Sequence, residues 1–542
     1  MMKTLAVVSF LLAACAGTSS LPAARYHDAP PIAVVDDRRD TPKSPAPRVY
    51  NRWLYQLRGN VVGPIKRALD ARADHRALGT NALDEVPNST WFTNRLGART
   101  LTADELRAGP GRAGSPEPHM PWTVQSTKVG GRNVGFIIKD ARGEKFILKF
   151  DKKGFPETET AAGVIVGRLL WGMGWNVPEE HIVYFRPTDL VLAPDAKIKD
   201  VFGHARPLRR AELEDMLTRV DVGADGRIRS LASRMLDGKW LGGHPGEGTR
   251  ADDPNDRIAH ERRRDLRGSY AMFAWLDHVD VKEDNSLDML VRDPADPSRR
   301  YVKHYQIDFG SALGTFGRVA GDLRVGHEYT LDFPSMVGSL ASMGMRERTW
   351  ERRAFPHYPG IGLYDAAHYD PGSWKPLYAG YLPFHTADRI DKLWGAKILI
   401  QYTRAQLRAA VEAGRLGDPR SVEYLVDTLV ARQRATASYW FERTSPLDRF
   451  TVEHGALCFD DLMRTYELSA AAATYTTTLY DYDGGQLVAH APIRATAART
   501  CTAPLAFAPY SIVRITTKRL GRALDIYVHV AHGERVIGVW RQ

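Results

Sequence analysis

The stretch from Trp122 to Gly174 constrains the fold more than any other part of the chain. Three β-rich runs, WTVQSTKVGG, RNVGFIIKD and EKFILKF, are separated by glycines and by the turn Asp140-Ala141-Arg142-Gly143, the pattern of short consecutive strands. ETAAGVIVGRLLWGMG follows directly. There Val164, Val166, Leu169, Leu170 and Met173 form one apolar face and Gly174 offers a stop, as in a helix. HIVYFRP and the segment around Leu231 to Leu236 read as further strands. Strands, a helix and strands again make a compact α+β unit.

Beyond Asp252 the period lengthens. Residues 259 to 277 run without proline and place Leu266, Tyr270, Phe273 and Ala274 on one side; residues 386 to 413 and 420 to 442 are long helical patterns. After residue 446 β-type residues return, with TYTTTLYDYDGGQLVAH read as a hairpin turning at Asp483-Gly484-Gly485, then SIVRITT and LDIYVHV. Upstream, Thr102 with Glu105 caps a short helix that Gly109-Pro110 stop. The 542 residues are 44% hydrophobic, with 12 Trp, 22 Tyr and 18 Phe, which excludes wholesale disorder and a disulfide-dominated mini-scaffold. The net charge of +10 is spread along the chain without a long basic run, so nucleic acid is not an expected partner.

Three cysteines divide the chain by role. MMKTLAVVSFLLAACAG begins with Lys3, continues in an apolar run from Leu5 to Leu12, and reaches Leu12-Ala13-Ala14-Cys15. This resembles the bacterial lipoprotein signal, in which residues 1–14 are removed and Cys15 is lipidated; an ordinary secretory signal is the alternative, and export follows from either. Ala16, in place of an Asp, points to the outer membrane. The expected address is therefore the cell envelope, with the protein held to a membrane by its N-terminal lipid anchor. Residues 15–48, ending in PPIAVVDDRRDTPKSPAP, read as a flexible tether. Cys458 and Cys501 suit one disulfide in an exported chain, with two separate buried thiols as the alternative. Neither has the neighbours of a zinc site.

The strongest chemical signal is His278-Val279-Asp280-Val281-Lys282-Glu283-Asp284-Asn285, after a helix and before the strand-like LDMLV. Downstream comes Tyr305-Gln306-Ile307-Asp308-Phe309-Gly310, reached through a hairpin whose tip carries DPADPSRR. Upstream, Lys149 ends the run Phe146-Ile147-Leu148-Lys149, Glu157 and Glu159 open the next helix, and Gly130, Gly131 and Gly135 lie two strand lengths before the lysine. Taken singly, each has a bland reading: an edge-strand lysine, favourable charges at a helix start, hairpin glycines, capping residues. Their common order is what is informative.

HxDxKxxN and DFG in this order resemble the catalytic loop and metal-binding triplet of protein kinases, across roughly residues 120 to 445. The short distance from Lys149 to Glu159 and the missing Ala-Pro-Glu motif make the chain most similar to atypical kinases of the HipA, spore-coat CotH and secreted Golgi types. The resemblance implies an α+β, two-lobed kinase-like fold: N-lobe 116–245, C-lobe 246–445, an N-terminal extension 49–115 before it and a small β-rich C-terminal domain 446–542. It implies ATP as co-substrate and Mg²⁺ or Mn²⁺ held by Asn285 and Asp308. Asp280 would act as base and Lys282 would neutralise the transferred group. Lys149, oriented by Glu159, would grip phosphates under a loop containing Gly130, Gly131 and Gly135. Leu236-Asp237-Gly238-Lys239 is expected as the hinge. Two alternatives stay open: a scaffold of the same fold that binds nucleotide or another ligand without turnover, and a nucleotidyl transferase.

Overall fold

The computed structural model describes residues 21–69, 75–128, 134–199, 204–316 and 322–542. Cys15, Gly130 and Gly131 lie outside the described residues. Seven strands, β1 (Trp122–Thr127), β2 (Gly135–Lys139), β3 (Lys145–Lys149), β4 (Glu180–Phe185), β5 (Leu190–Lys199), β6 (Ala205–Pro207) and β7 (Ile228–Arg234), form one mixed sheet in the order β4-β7-β3-β2-β1-β5-β6. The first three are a meander of antiparallel neighbours. The apolar helix is Thr158–Met173, ended by Gly174 at φ 129°, a conformation that suits glycine. It is buried on nearly every side, so its stability comes from packing rather than from an amphipathic stripe.

The connection after β7 leads through Leu236–Gly238 into β8 (Lys239–Trp240), which pairs with β9 (Ser286–Arg292); β10 (Arg300–Gln306) completes a second sheet, ordered β10-β9-β8. The helix Arg264–Leu276 precedes β9 and packs on the helix Arg389–Leu399. The crossing is close because Gly268 and Gly395 face each other: a Cβ on Gly268 would lie 2.8 Å from the Asp391 carbonyl oxygen. The helical pattern at 386–413 is two helices, Arg389–Leu399 and Arg404–Ala413, because Thr403 and Gln406 form a capping box that starts the second. Pro419–Phe441 is one long helix, with Trp440 and Phe441 in the core.

Residues 21–48 do not form a free tether. They lie extended along the body. Tyr26 donates to the Val539 carbonyl and Asp37 accepts from the Thr90 amide and hydroxyl at 2.7 and 2.8 Å. Thr41 N–H bonds the Arg300 carbonyl, and Arg48 N–H the Leu241 carbonyl. The expectation failed because hydrogen bonds and short-range ion pairs, with no apolar period, hold this strap.

From Leu447 the chain is β-rich. β11 (Leu447–Glu453), β12 (Ala456–Asp461) and β16 (Arg499–Cys501) form one sheet. β13 (Ala473–Tyr480), β14 (Gln486–Ala489), β15 (Ile493–Ala495), β17 (Tyr510–Arg519), β18 (Arg522–Ala531) and β19 (Arg535–Arg541) form the other. β13 and β14 are the expected hairpin. Cys458 and Cys501 are opposite each other on β12 and β16 and are disulfide-bonded. Closing that loop stabilises by about 4 kcal/mol in a chain-entropy view. Among the described residues no helix is long and apolar enough to cross a membrane.

Candidate active site

The helix Arg264–Leu276 aims its C-terminus at the candidate catalytic loop. Arg432 donates to the carbonyls of Ala274 and Trp275 at 2.8 and 2.9 Å, which places a positive charge where the helix dipole is negative. Asp277 then leaves the helix in the left-handed region at φ 49°. His278 is buried against the rings of Phe273 and Phe309. Burial pulls its imidazole down to about 4, so it is neutral and acts as packing between loop and triplet.

Asp280 faces a small cluster. Lys282 Nζ donates to Asp280 Oδ2 at 2.6 Å, and Asn285 Nδ2 to the Asp280 carbonyl at 2.6 Å. The second carboxylate oxygen, Oδ1, is buried without a hydrogen-bond partner. Asn285 ends a 3₁₀ turn at Glu283–Asn285 and its carbonyl accepts from Ile307 N–H at 3.0 Å. β9 and β10 run in register from Arg292↔Arg300 to Ser286↔Gln306, so the hairpin delivers Asn285 and Asp308 side by side at its base. DPADPSRR sits at its far end.

Asp308 adopts φ 64°. For a residue with a side chain this costs about 1 kcal/mol or more, and such outliers gather at functional sites. Lys149 at the end of β3 donates to its Oδ1 at 3.0 Å. The charge of Lys149, with Lys128 and Lys282, outweighs burial and holds the Asp308 carboxyl well below the usual range. Lys149 stands above its ordinary value because Asp308 and Glu180 outweigh its own burial.

The carboxylate brought to Lys149 from the sheet side is Glu180 on β4, at 3.9 Å, where the sequence pointed to Glu159. Glu159 attracts the lysine more weakly and packs its backbone and Cβ against Gly310. Glu180 is buried, its Oε2 has no partner, and burial pushes it up despite Lys149. Gly163 and Gly167, one turn apart on the helix Thr158–Met173, leave room for it; a Cβ on Gly167 would sit 3.6 Å from both Glu180 Oε2 and Phe309. A second residue absent from the sequence reading is Lys128, at the end of β1. It is lowered by burial and by Lys149, and its side chain lies against Gly135. Gly135 itself pairs with Lys149 across β2 and β3.

The set therefore gathers Lys149, Lys128 and Glu180 from the large sheet with Asp280, Lys282, Asn285 and Asp308 from the helical side. The Asp308 carboxylate and the Asn285 side-chain carbonyl are hard oxygen donors suited to Mg²⁺ or Mn²⁺. The lysines suit phosphate oxygens. Leu236–Lys239, expected as hinge, runs from the end of β7 into β8, and a Cβ on Gly238, at φ 101°, would collide with the Leu290 carbonyl oxygen.

No protein-family model matches the chain, and no curated protein matches it. Among solved structures, the crystal structure of the Golgi casein kinase with Mn/ADP bound aligns with 62% of this chain and 73% of that one, at 10% identity and a TM-score of 0.30. A second crystal structure of the Golgi casein kinase aligns with 74% of this chain and 93% of that one, also at 10% identity and 0.30. A likeness of this size carries no argument about chemistry, and what the site can do follows from its own residues.

Proposed function

We propose that the protein is a metal- and ATP-dependent phosphotransferase of the atypical kinase type, built on a two-lobed kinase-like fold and anchored in the cell envelope through lipidated Cys15. One observation carries the reading: Lys149 of the sheet meets Asp308 of the triplet at 3.0 Å, beside a loop that holds Asp280, Lys282 and Asn285 together. Asn285 and Asp308 would hold a divalent ion, which when bound supplies charge neutralisation on the phosphates. Lys149 and Lys128 bind and orient phosphate oxygens. Asp280 Oδ1, unpartnered, accepts the proton of the acceptor hydroxyl while the Lys282 hydrogen bond at Oδ2 holds the carboxylate in place. The acceptor oxygen bonds to the terminal phosphorus as the bridging P–O bond breaks and ADP leaves. Positioning and electrostatics supply most of the rate.

The test is the purified protein with labelled ATP and Mg²⁺ or Mn²⁺, alongside titration with a fluorescent ATP analogue. Asp280→Asn should leave nucleotide affinity nearly unchanged and lower transfer by ~10²–10⁴. Absence of metal-dependent nucleotide binding by the wild type would overturn the reading. Binding without transfer, indifferent to Asp280→Asn, would favour a scaffold, and transfer of the nucleotidyl group would favour the third reading.

A further inference from the structure

Behind the candidate active site lies a buried cluster that the proposed chemistry does not use. Asp288 on β9 and His304 on β10 are direct cross-strand partners, and His244, on the loop after β8, closes over them. All three are almost fully buried. His304 Nδ1 is 2.7 Å from Asp288 Oδ1, and His244 Nδ1 is 3.4 Å from the same oxygen. The candidate ligand atoms all lie within 4.8 Å of one another. Arg250 holds the other carboxylate oxygen, Oδ2, at 3.2 Å. Trp91 stacks on the His304 ring with centroids 3.6 Å apart and covers the cluster from one side.

As a hydrogen-bonded network the cluster is incomplete. His244 Nε2 is buried without a hydrogen-bond partner, its Nδ1 meets Asp288 only at a poorly aligned 3.4 Å, and Asp253 Oδ2, within electrostatic reach of His304 and Asp288, is unpartnered too. A buried imidazole nitrogen left unsatisfied keeps its full desolvation penalty, and native interiors avoid this. A shared cation would give His244 Nδ1 the partner it lacks. Ligands at about 2.0–2.1 Å around a tetrahedral ion are about 3.3 Å apart, so the His244–Asp288 separation fits, His304 needs to withdraw from Asp288 by about half an ångström, and the two imidazoles, within 4.8 Å of each other, need to settle at that same spacing. Two imidazoles with one carboxylate favour zinc-class ions over Mg²⁺ or Ca²⁺. Arg250 on the non-ligating oxygen is the outer partner that fixes a ligating carboxylate.

We propose that His244, Asp288 and His304 form a structural divalent-metal site of the zinc class that clamps the β9–β10 hairpin behind the candidate active site. The site is distinct from Asn285 and Asp308, whose donors are all oxygen. Its consequence is mechanical. Asp288 is three residues beyond Asn285 and His304 four before Asp308, so an ion there fixes both strands that carry those groups, and His244 ties them to the link from the large sheet.

Metal analysis of the purified full chain, after dialysis in metal-stripped buffer with limiting Zn²⁺, should give about one zinc per chain. Co²⁺ in its place should give the visible absorption of a tetrahedral site. His244→Gln and His304→Gln should bind less than about a tenth as much, whereas Asp308→Ala should keep the zinc. Thermal unfolding is the second readout: a chelator should lower the wild-type Tm and leave that of His304→Gln unchanged. A wild type that binds neither ion and unfolds identically with chelator overturns the proposal. Zinc retained in both histidine variants, or lost from Asp308→Ala alone, also overturns it. None of these readouts depends on kinase activity.

Discussion

Replacing Glu180 by Gln isolates what orients Lys149. The substitution keeps volume and a hydrogen-bonding oxygen for Ser233, and removes only charge. At 3.9 Å the Lys149–Glu180 attraction amounts to about 4 kcal/mol at an effective dielectric of about 20. The lysine side chain is 23% exposed and the glutamate 3%, so solvent screens part of this, and a third to a half, about 1.4–2 kcal/mol, is the expected share. Without Glu180, Asp308 at 3.0 Å is the dominant partner of Lys149, and a metal would have to compete with the lysine for that carboxylate. Glu180→Gln should therefore weaken Mg²⁺-nucleotide binding by roughly 10- to 30-fold, read by titration with a fluorescent ATP analogue at fixed metal. Glu159→Gln, whose pull on Lys149 is weaker, should change it less than about 3-fold. If the Glu159 variant lost more affinity than the Glu180 variant, the assignment from geometry would be wrong and the assignment from sequence order right.

Gly268→Ala gains about 1 kcal/mol of helix propensity, yet its Cβ would press on the Trp394 ring and the Asp391 carbonyl; net destabilisation of about 1–3 kcal/mol is expected in urea unfolding, and a stabilised variant would refute the close crossing. His529, buried between Tyr510 and Tyr26, is pulled down to about 3 by burial, then by Arg25. Its neutral form stabilises the fold fully above pH 6.5. As the unfolded histidine protonates on going from pH 6.5 to 4, about 3 kcal/mol should be lost. His529→Phe should flatten that part of the stability–pH curve; an unchanged slope would contradict the assignment. Cys15→Ser should move the protein from the membrane fraction to the soluble one, and a wild type without an acyl group would refute the anchor.

How much of the site was legible depended on how local each piece is. His278, Asp280, Lys282 and Asn285 fall within one turn-and-loop, where spacing along the chain is spacing in space, and Asp308 follows them on the next hairpin. Glu180 was hidden because the sheet order β4-β7-β3 sets it beyond a strand that enters the chain almost fifty residues later. A helix-opening glutamate was the local substitute. Gly163 and Gly167 on one helix face were the available hint that a large side chain must pass there. Similarly, His244, Asp288 and His304 share no spacing motif; only β9–β10 register and the β8 link bring them together. The break between the helices Arg389–Leu399 and Arg404–Ala413 was written in the sequence as Thr403-x-x-Gln406, but continuous helix-forming composition masked it.

The strap changes what the anchor would mean. A lipid on Cys15 would leave residues 15–20 between the bilayer and Leu21, the first described residue, and that length of chain spans at most about 20 Å even when fully extended. The strap then binds the C-terminal sheet before anything else: Tyr26 lies on His529 and Val539, and Asp28 pairs with Arg535. Only later does it reach β10 at Arg300 and the link before β9 at Leu241. The C-terminal sheets would thus stand nearest the membrane, stapled by Cys458–Cys501. They are joined to the helical body by a buried ionic network in which Arg541 contacts Asp84 and Asp448, and Lys397 contacts Glu85 and Asp448. Burying so many charges is tolerable only because each is paired, and removing one leaves its partners costly. If Cys15 carries a lipid, a domain held in this way would act as a spacer. With a lipid on Cys15 it would fix the distance and direction of the candidate active site relative to the bilayer, where a flexible tether would leave both free.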